Sequence, residues 1–245
     1  MPEGETTHDI LFEGRLHLVQ PVDGFRTTTD SLLLAAALET ATGDKVLDAG
    51  CGCGGALLSG AFRNDAAHFT GVEIDMRTSE LACEGATLNG FQGRVCVETA
   101  DFMTWARGQE NAFDVVLSNP PYLAPGANRM PSDRRKSGFL ETADLEDWLK
   151  AMMFATRHKG TMLIIHRAAE LARILTAFDR WGGDIVVLPI RPKAGAEANR
   201  VLVKVRKGLR RGRVRLLEGL HLKGTDGGVS ERLRAIERGK VLDWY

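Results

Sequence analysis

The sequence is poor in cysteine: Cys51, Cys53, Cys83 and Cys96 are the only four among 245 residues, and they form no Cys-x-x-Cys pair and have no matching histidine spacing. A zinc site and a disulfide framework are therefore not expected, and the four thiols read as reduced small hydrophobes. No metal is expected. Long apolar runs are also missing. The longest, such as residues 31–38 and 161–165, fall well short of the roughly 20 residues that span a bilayer, so no membrane partner is expected. The chain opens with Pro-Glu-Gly-Glu after the methionine rather than with a basic patch and an apolar stretch; no secretory signal is legible, and a cytoplasmic location is the expectation. Internal repeats and low-complexity stretches are absent. With 44% hydrophobic and 26% charged residues, the chain is too apolar for a disordered protein and ordinary for a globular enzyme.

Net charge is missing as well, since 32 basic residues balance 32 acidic ones. The balance hides an asymmetry. Residues 191–245 hold 15 basic and 6 acidic side chains, against 17 and 26 in the rest, which keeps a nucleic-acid partner in view. What the chain does have is alternation. Apolar runs at 45–49, 68–74, 94–99, 113–118, 161–165, 185–190 and 201–205 are separated by helical patterns that include 76–88, 143–157 and 168–181, the order of a doubly wound α/β sheet. The early runs read as fully buried parallel strands. Val201, Val203 and Val205 alternate with Leu202, Lys204 and Arg206, so the last run is expected to be half exposed and near an edge. Three parts follow: a lead at 1–44, with a hairpin over 9–20 and a helix over 31–40 capped by Asp30; a core at 45–207; and a basic, glycine-rich tail at 208–245 with a short helix over 230–238.

Residues 46–55, Val-Leu-Asp-Ala-Gly-Cys-Gly-Cys-Gly-Gly, read as a strand, a glycine-rich turn and the start of a helix. Glycines there let the backbone adopt positive φ and approach a ligand closely. Gly50, Gly52 and Gly55 satisfy Gly-x-Gly-x-x-Gly, and Glu73 lies 23 residues past Gly50 at the next strand end, where a ribose-binding acid belongs. A nicotinamide dehydrogenase stays open on this test. Asp48, just before the first glycine, can hold a positively charged ammonium and tilts the reading toward S-adenosylmethionine. Asp75 and Asp101, after the second and third strands, also suit helix N-caps.

The fourth run delivers Asn119-Pro120-Pro121-Tyr122 at its carboxyl end, where open α/β sheets keep their active sites. Consecutive prolines fix φ and restrict the preceding residue, so the Asn119 side chain and the Pro120 carbonyl are held as two rigid acceptors. A conjugated amine is a poor nucleophile because its lone pair is delocalised. Two acceptors aimed at its hydrogens favour the pyramidal form and stabilise the charge that develops on attack. Tyr122 would stack on a planar acceptor.

The glycine loop and this tetrapeptide resemble those of the class I S-adenosylmethionine-dependent amino methyltransferases. Residues 24–35, Gly-Phe-Arg-Thr-Thr-Thr-Asp-Ser-Leu-Leu-Leu-Ala, and 198–208, Ala-Asn-Arg-Val-Leu-Val-Lys-Val-Arg-Lys-Gly, are similar to the bacterial tRNA1(Val) adenine-N6 methyltransferase family over most of residues 9–240. The resemblance implies a Rossmann-like, seven-stranded and mostly parallel sheet with helices on both faces and its last strand antiparallel. It implies S-adenosylmethionine as cofactor and S-adenosylhomocysteine as product, held by Arg26 at the methionine carboxylate, Thr28 and Asp30 nearby, Asp48, Gly50, Cys51, Gly52, Gly54, Glu73, Ile74, Phe102 and Asn119, with Asp101 at the adenine amine.

The acceptor is narrowed by length. Release-factor glutamine methyltransferases place a helical domain ahead of the catalytic one, and only 45 residues precede the glycine motif here; guanine-N2 enzymes often end the tetrapeptide in Phe and duplicate the domain. Adenine N6 in RNA, above all the tRNA anticodon-loop adenine, is the expected acceptor, with those two amino acceptors and a non-catalytic S-adenosylmethionine-binding module as alternatives. Lys207, Arg210, Arg211 and Arg213, in a run without acids over 200–215, and Arg134, Arg135 and Lys136 after the tetrapeptide are the expected phosphate contacts. Few aromatics accompany them, so recognition would rest on RNA shape. Oligomeric state is not inferable from the sequence.

Overall fold

The hairpin of the lead forms as β1 (Thr6–Leu11) and β2 (Leu16–Pro21), paired antiparallel across a turn at residues 12–15. In this computed structural model residues 5–24, 26–120, 144–210 and 212–244 are described; Pro121, Tyr122, Arg134, Arg135, Lys136 and Arg211 lie outside them. Leu16 and Leu18 point from β2 into the core, so the lead is welded to the rest of the fold rather than trailing from it. The first helix, α1 (Thr29–Ala36), starts two residues earlier than the sequence suggests. Thr28 takes the extended conformation at its N-cap. Asp30 is therefore not the cap; it sits inside the first turn and pairs with Arg200 at 2.9 Å.

The expected apolar runs become β3 (Lys45–Ala49), β4 (His68–Glu73), β5 (Val95–Thr99), β6 (Phe113–Ser118) and β7 (Thr156–Arg167), all parallel in the order β5-β4-β3-β6-β7. Beyond β7 the sheet continues with β9 (Arg200–Lys207) and then β8 (Gly182–Lys193), with β9 antiparallel to both neighbours. The expectation that 201–205 lies near an edge is corrected. β9 is flanked on both edges and buried over residues 201–205, and even Lys204 is at 7% side-chain exposure, paired with Glu39 at 2.9 Å and lying 4.4 Å above the Trp244 ring. Its apparent polar alternation reflects a neutralised internal lysine, not solvent.

Those seven strands are the expected core, and the tail adds two more. The short strands β10 (Arg215–Leu216) and β11 (Leu220–Lys223) pair in parallel with successive parts of β8, making a nine-stranded sheet. They occupy the outer side of β8, whose backbone groups would otherwise stand unpaired at an edge.

Helices cover both faces. On one, α1, α2 (Gly55–Arg63) and α7 (Glu231–Glu237) share a core with Val46, Leu163, Ile165, Leu188 and Leu202. On the other, α4 (Phe102–Trp105), α5 (Leu145–Ala155) and α6 (Leu171–Asp179) pack on Leu47, Val116, Met162, Ile164, Val187 and Val203. The strict two-residue alternation of these sets along the strands is what a sheet buried on both sides requires. The longest helix among the described residues, α3 (Met76–Leu88), is capped by Asp75, whose Oδ1 accepts from the Thr78 N–H at 2.8 Å. Cys51 and Cys53 are core residues, but Cys83 and Cys96 are exposed, so only the first pair behaves as small hydrophobes. Among the described residues no helix is long and apolar enough to cross a membrane.

Candidate active site

The order β4-β3-β6-β7 reverses the chain's direction of winding between β3 and β6, and open α/β sheets bind ligands at such a switch point, outside the strand carboxyl ends. Asp48 pairs in register with Leu117, so the glycine loop after β3 and Asn119 after β6 leave the sheet as neighbours.

The loop has a backbone that most residues could not adopt. Gly50 has φ +74, and a Cβ there would stand 3.3 Å from the Trp148 ring; Gly54, at φ +88, is the N-cap of α2. The Gly50 and Cys51 N–H groups both donate to the Val72 carbonyl, at 2.9 and 3.0 Å, fixing the turn against β4. Glu73, at the end of β4, accepts from the Gly52 N–H at 3.0 Å and the Asp75 N–H at 2.9 Å. Burial raises the Glu73 carboxyl above its usual range, and these backbone donors oppose the shift.

Asp48 is the most perturbed group at the site. It is 2% exposed, and its Oδ2 has no hydrogen-bond partner. Desolvation pushes its pKa up to about 7; a backbone bond from Leu57 opposes this, and the nearby Glu73 adds to it. A buried, half-satisfied carboxylate at the mouth of a glycine loop is built to receive a cation or a hydrogen-bond donor.

The lead closes one side. Gln20 is buried at 2% exposure; its Oε1 accepts from the Thr27 N–H at 2.6 Å and from Cys53 Sγ at 3.5 Å, while its Nε2 donates to Asp9. Arg26 pairs with the same Asp9 at 2.5 Å and donates to the Pro21 carbonyl at 2.9 Å. The segment carrying Arg26 and Thr28 is thus tied to Cys53 of the glycine loop through one buried glutamine. Thr27 fills the space beside Gly55, where a Cβ would collide with its hydroxyl.

The other predicted residues are placed as follows. Ile74 stands 38% exposed after β4. Asp101 caps α4, accepting from Thr104 Oγ1 at 2.7 Å and from the Met103 and Thr104 N–H groups at 3.3 Å. Phe102 is buried, its ring centroid 4.7 Å from that of Trp148. Asn119 is half-buried and Pro120 buried at the end of β6.

The sheet's direction places the described phosphate-contact candidates away from Asn119. Because β9 runs antiparallel, its carboxyl end lies at the amino edge of the other strands, opposite Asn119: Arg206 is level with Thr161, whereas Arg200 is level with Arg167. Lys207 is half-buried, donating to the Thr156 carbonyl at 2.7 Å and Asn111 Oδ1 at 2.9 Å. Arg210 and Arg213 are exposed but follow at that far edge. Described basic residues on the catalytic side include Arg167 and Arg200, and Arg191 and Lys193 at the end of β8, level with His221 and Lys223 of β11.

Sequence reasoning missed Gln20, Ser118 and Trp148. Ser118 did leave a trace, as a polar residue closing the apolar run Val115–Leu117, while Gln20 and Trp148 carry no local signal.

Residues 26–134 match the model of a family described as methyltransferase small domain. The chain is 27% identical over 188 residues to the tRNA1(Val) (adenine(37)-N6)-methyltransferase of Dickeya chrysanthemi, covering 74% of this chain and 72% of that protein. It is 32% identical over 117 residues to the protein of the same description in Cronobacter sakazakii, covering 47% and 48%. The match therefore spans about half the length of some of these relatives. Among solved structures, a predicted O-methyltransferase from Agrobacterium tumefaciens superposes with a TM-score of 0.73 at 24% identity, over 87% of this chain and 98% of that one. Pyrococcus horikoshii TYW2 in complex with MeSAdo gives a TM-score of 0.58 at 16% identity, over 85% and 74%. At these identities the structural likeness carries the fold, a class I methyltransferase fold, and no more.

Proposed function

We propose that this chain, whose residues 26–134 match the methyltransferase small domain and which is similar to tRNA adenine-N6 methyltransferases, methylates N6 of an adenine in tRNA, with S-adenosylmethionine as donor. One observation carries the reading: Asp48 and its glycine loop leave the sheet beside Asn119, on adjacent parallel strands at the switch point. A donor site and an amine-activating motif are then one strand spacing apart, about 4.8 Å. The curated relatives are named for adenine 37 of a tRNA, which supports the acceptor class.

The site fits the cofactor. Asp48 offers a buried carboxylate oxygen without a partner, and the positive-φ turn at Gly50, Gly52 and Gly54 leaves backbone where side chains would crowd a ligand. Asp48 would hold the ammonium side of the methionine moiety, Glu73 the ribose hydroxyls, and Ile74 an apolar face of the adenine. When bound, S-adenosylmethionine supplies an electrophilic methyl group on a sulfonium. The chain supplies position: Asn119 Oδ1 and the Pro120 carbonyl accept from the acceptor amine, and Tyr122 stacks on its ring. No strong base is required, since the amine becomes acidic as it is alkylated. Ordering both reactants accounts for a large part of the barrier reduction.

The test is radiolabelled methyl transfer to total RNA followed by nucleoside analysis, with wild-type protein and Asn119→Ala. N6-methyladenosine from the wild type, and a loss of on the order of a hundredfold or more in the variant with S-adenosylmethionine still bound, is the expected result. Label in N2-methylguanosine, or in protein glutamine, would move the acceptor to one of the other amino classes.

A further inference from the structure

We propose that Trp148 and Ser118 are positioning residues that lock the strand carrying Asn119 to the glycine loop, and so set the approach of acceptor amine to methyl donor. The inference rests on the reading of Asn119 as the residue that meets the amine. Ser118, immediately before Asn119, is fully buried. Its hydroxyl donates to the Ala49 carbonyl at 2.7 Å, on the residue immediately before Gly50. The same oxygen accepts from Trp148 Nε1 at 3.0 Å. The direction of both bonds is fixed, since a carbonyl can only accept and an indole N–H can only donate.

The Trp148 ring extends this brace. It lies against Gly50, where a Cβ would stand 3.3 Å away, and against Phe102, which follows Asp101. One side chain therefore touches the first residue of the glycine loop, the first residue of α4 and, through Ser118, the strand end of the motif. Trp148 also sits near the start of α5, where the chain returns from residues 121–143 after leaving at Pro120. The Ser118–Trp148 bond ties those two stems together. Nothing in this brace touches the reacting atoms, so its effect is on alignment, and misplacement by about 1 Å can cost on the order of a hundredfold in rate.

The test compares Trp148→Phe, which removes the N–H donor together with the outer ring edge that meets Gly50, with Ser118→Ala, which strands both Trp148 Nε1 and the Ala49 carbonyl, and with the double variant. Assays run well below each protein's melting temperature. Trp148→Phe is expected to lower kcat for RNA methylation about tenfold or more, and Ser118→Ala further, with KM for RNA and Kd for S-adenosylmethionine within about threefold of wild type. The double variant is expected to lose less than the two single effects combined, because both substitutions remove the same Ser118–Trp148 bond. If Trp148→Phe shows only a lower melting temperature while kcat is unchanged, and Asn119→Ala is inactive beside it, the pair is structural and the inference is overturned. Wild-type protein that transfers no methyl to RNA would instead defeat the underlying reading, and the inference with it.

Discussion

Asp48 is where a single residue's burial becomes a measurable property. With its folded pKa near 7 and an unfolded value near 3.8, the native state binds the extra proton between those limits, so this group lowers stability as pH rises from about 4 to 7. A cationic partner reverses the balance by favouring the carboxylate. S-adenosylmethionine binding is therefore expected to release close to one proton below pH 7 and to tighten as pH rises through 7. Calorimetry in buffers of different ionisation enthalpy measures that release, and Asp48→Asn should abolish it and flatten the affinity profile. A release that persists in the variant would move the titrating group elsewhere. Glu73 gives a second prediction at this scale. Its charge-assisted bonds to a ribose should contribute about 1.5–3 kcal/mol, so Glu73→Ala should weaken cofactor binding roughly tenfold to over a hundredfold. An unchanged Kd would remove Glu73 from the ribose site.

At the scale of elements, the tail is what holds α1 in place. The Leu242 N–H donates to the Ala36 carbonyl at 2.7 Å, and Trp244 Nε1 donates to the Ala37 carbonyl at 3.1 Å, satisfying two of the carbonyls that a helix end leaves open. Trp244 is 1% exposed and lies beneath the buried Lys204 ammonium. Trp244→Ala removes a large core side chain, a helix-end bond and a cation–π contact together. It is expected to cost about 3–5 kcal/mol, at about 2–4 °C of melting temperature per kcal/mol for a chain of this size. Denaturant melts check it; a loss below about 1 kcal/mol would show that the tail merely lies on the core. Since α1 follows directly from Thr27 and Thr28, loosening it is also expected to weaken cofactor binding.

For the whole molecule, sheet direction decides which charges an RNA at Asn119 can reach. Arg191, Lys193 and Lys223 lie on the catalytic side, whereas Arg210 and Arg213 follow the far end of β9. Charge reversal at Lys193 and Lys223 is thus expected to weaken tRNA binding and reduce the slope of log affinity against log salt by about two units, with reversal at Arg210 and Arg213 changing it less. Binding measured at several salt concentrations separates the two pairs. The opposite ranking would mean that the RNA wraps the amino edge of the sheet.

Much of this fold was determined locally. Buried parallel strands need predominantly apolar runs, so β3 and β6 appear in the sequence with the boundaries they have in space, as does α3 with its Asp75 cap. The glycine turn and the Asn-Pro-Pro-Tyr motif are local too, because their chemistry depends on φ restrictions that adjoining residues impose. Tertiary structure alone decided what depends on partners distant in sequence. Lys204 reads as a surface charge until Glu39 and Trp244 enclose it, and only the antiparallel insertion of β9 brings Lys207 to the Thr156 carbonyl. Trp148 and Ser118 are 30 residues apart, and Gln20 and Cys53 are 33 apart. A hydrogen bond closed over such a separation leaves no periodicity in the chain, so the braces around the site became visible only when the strands were laid side by side.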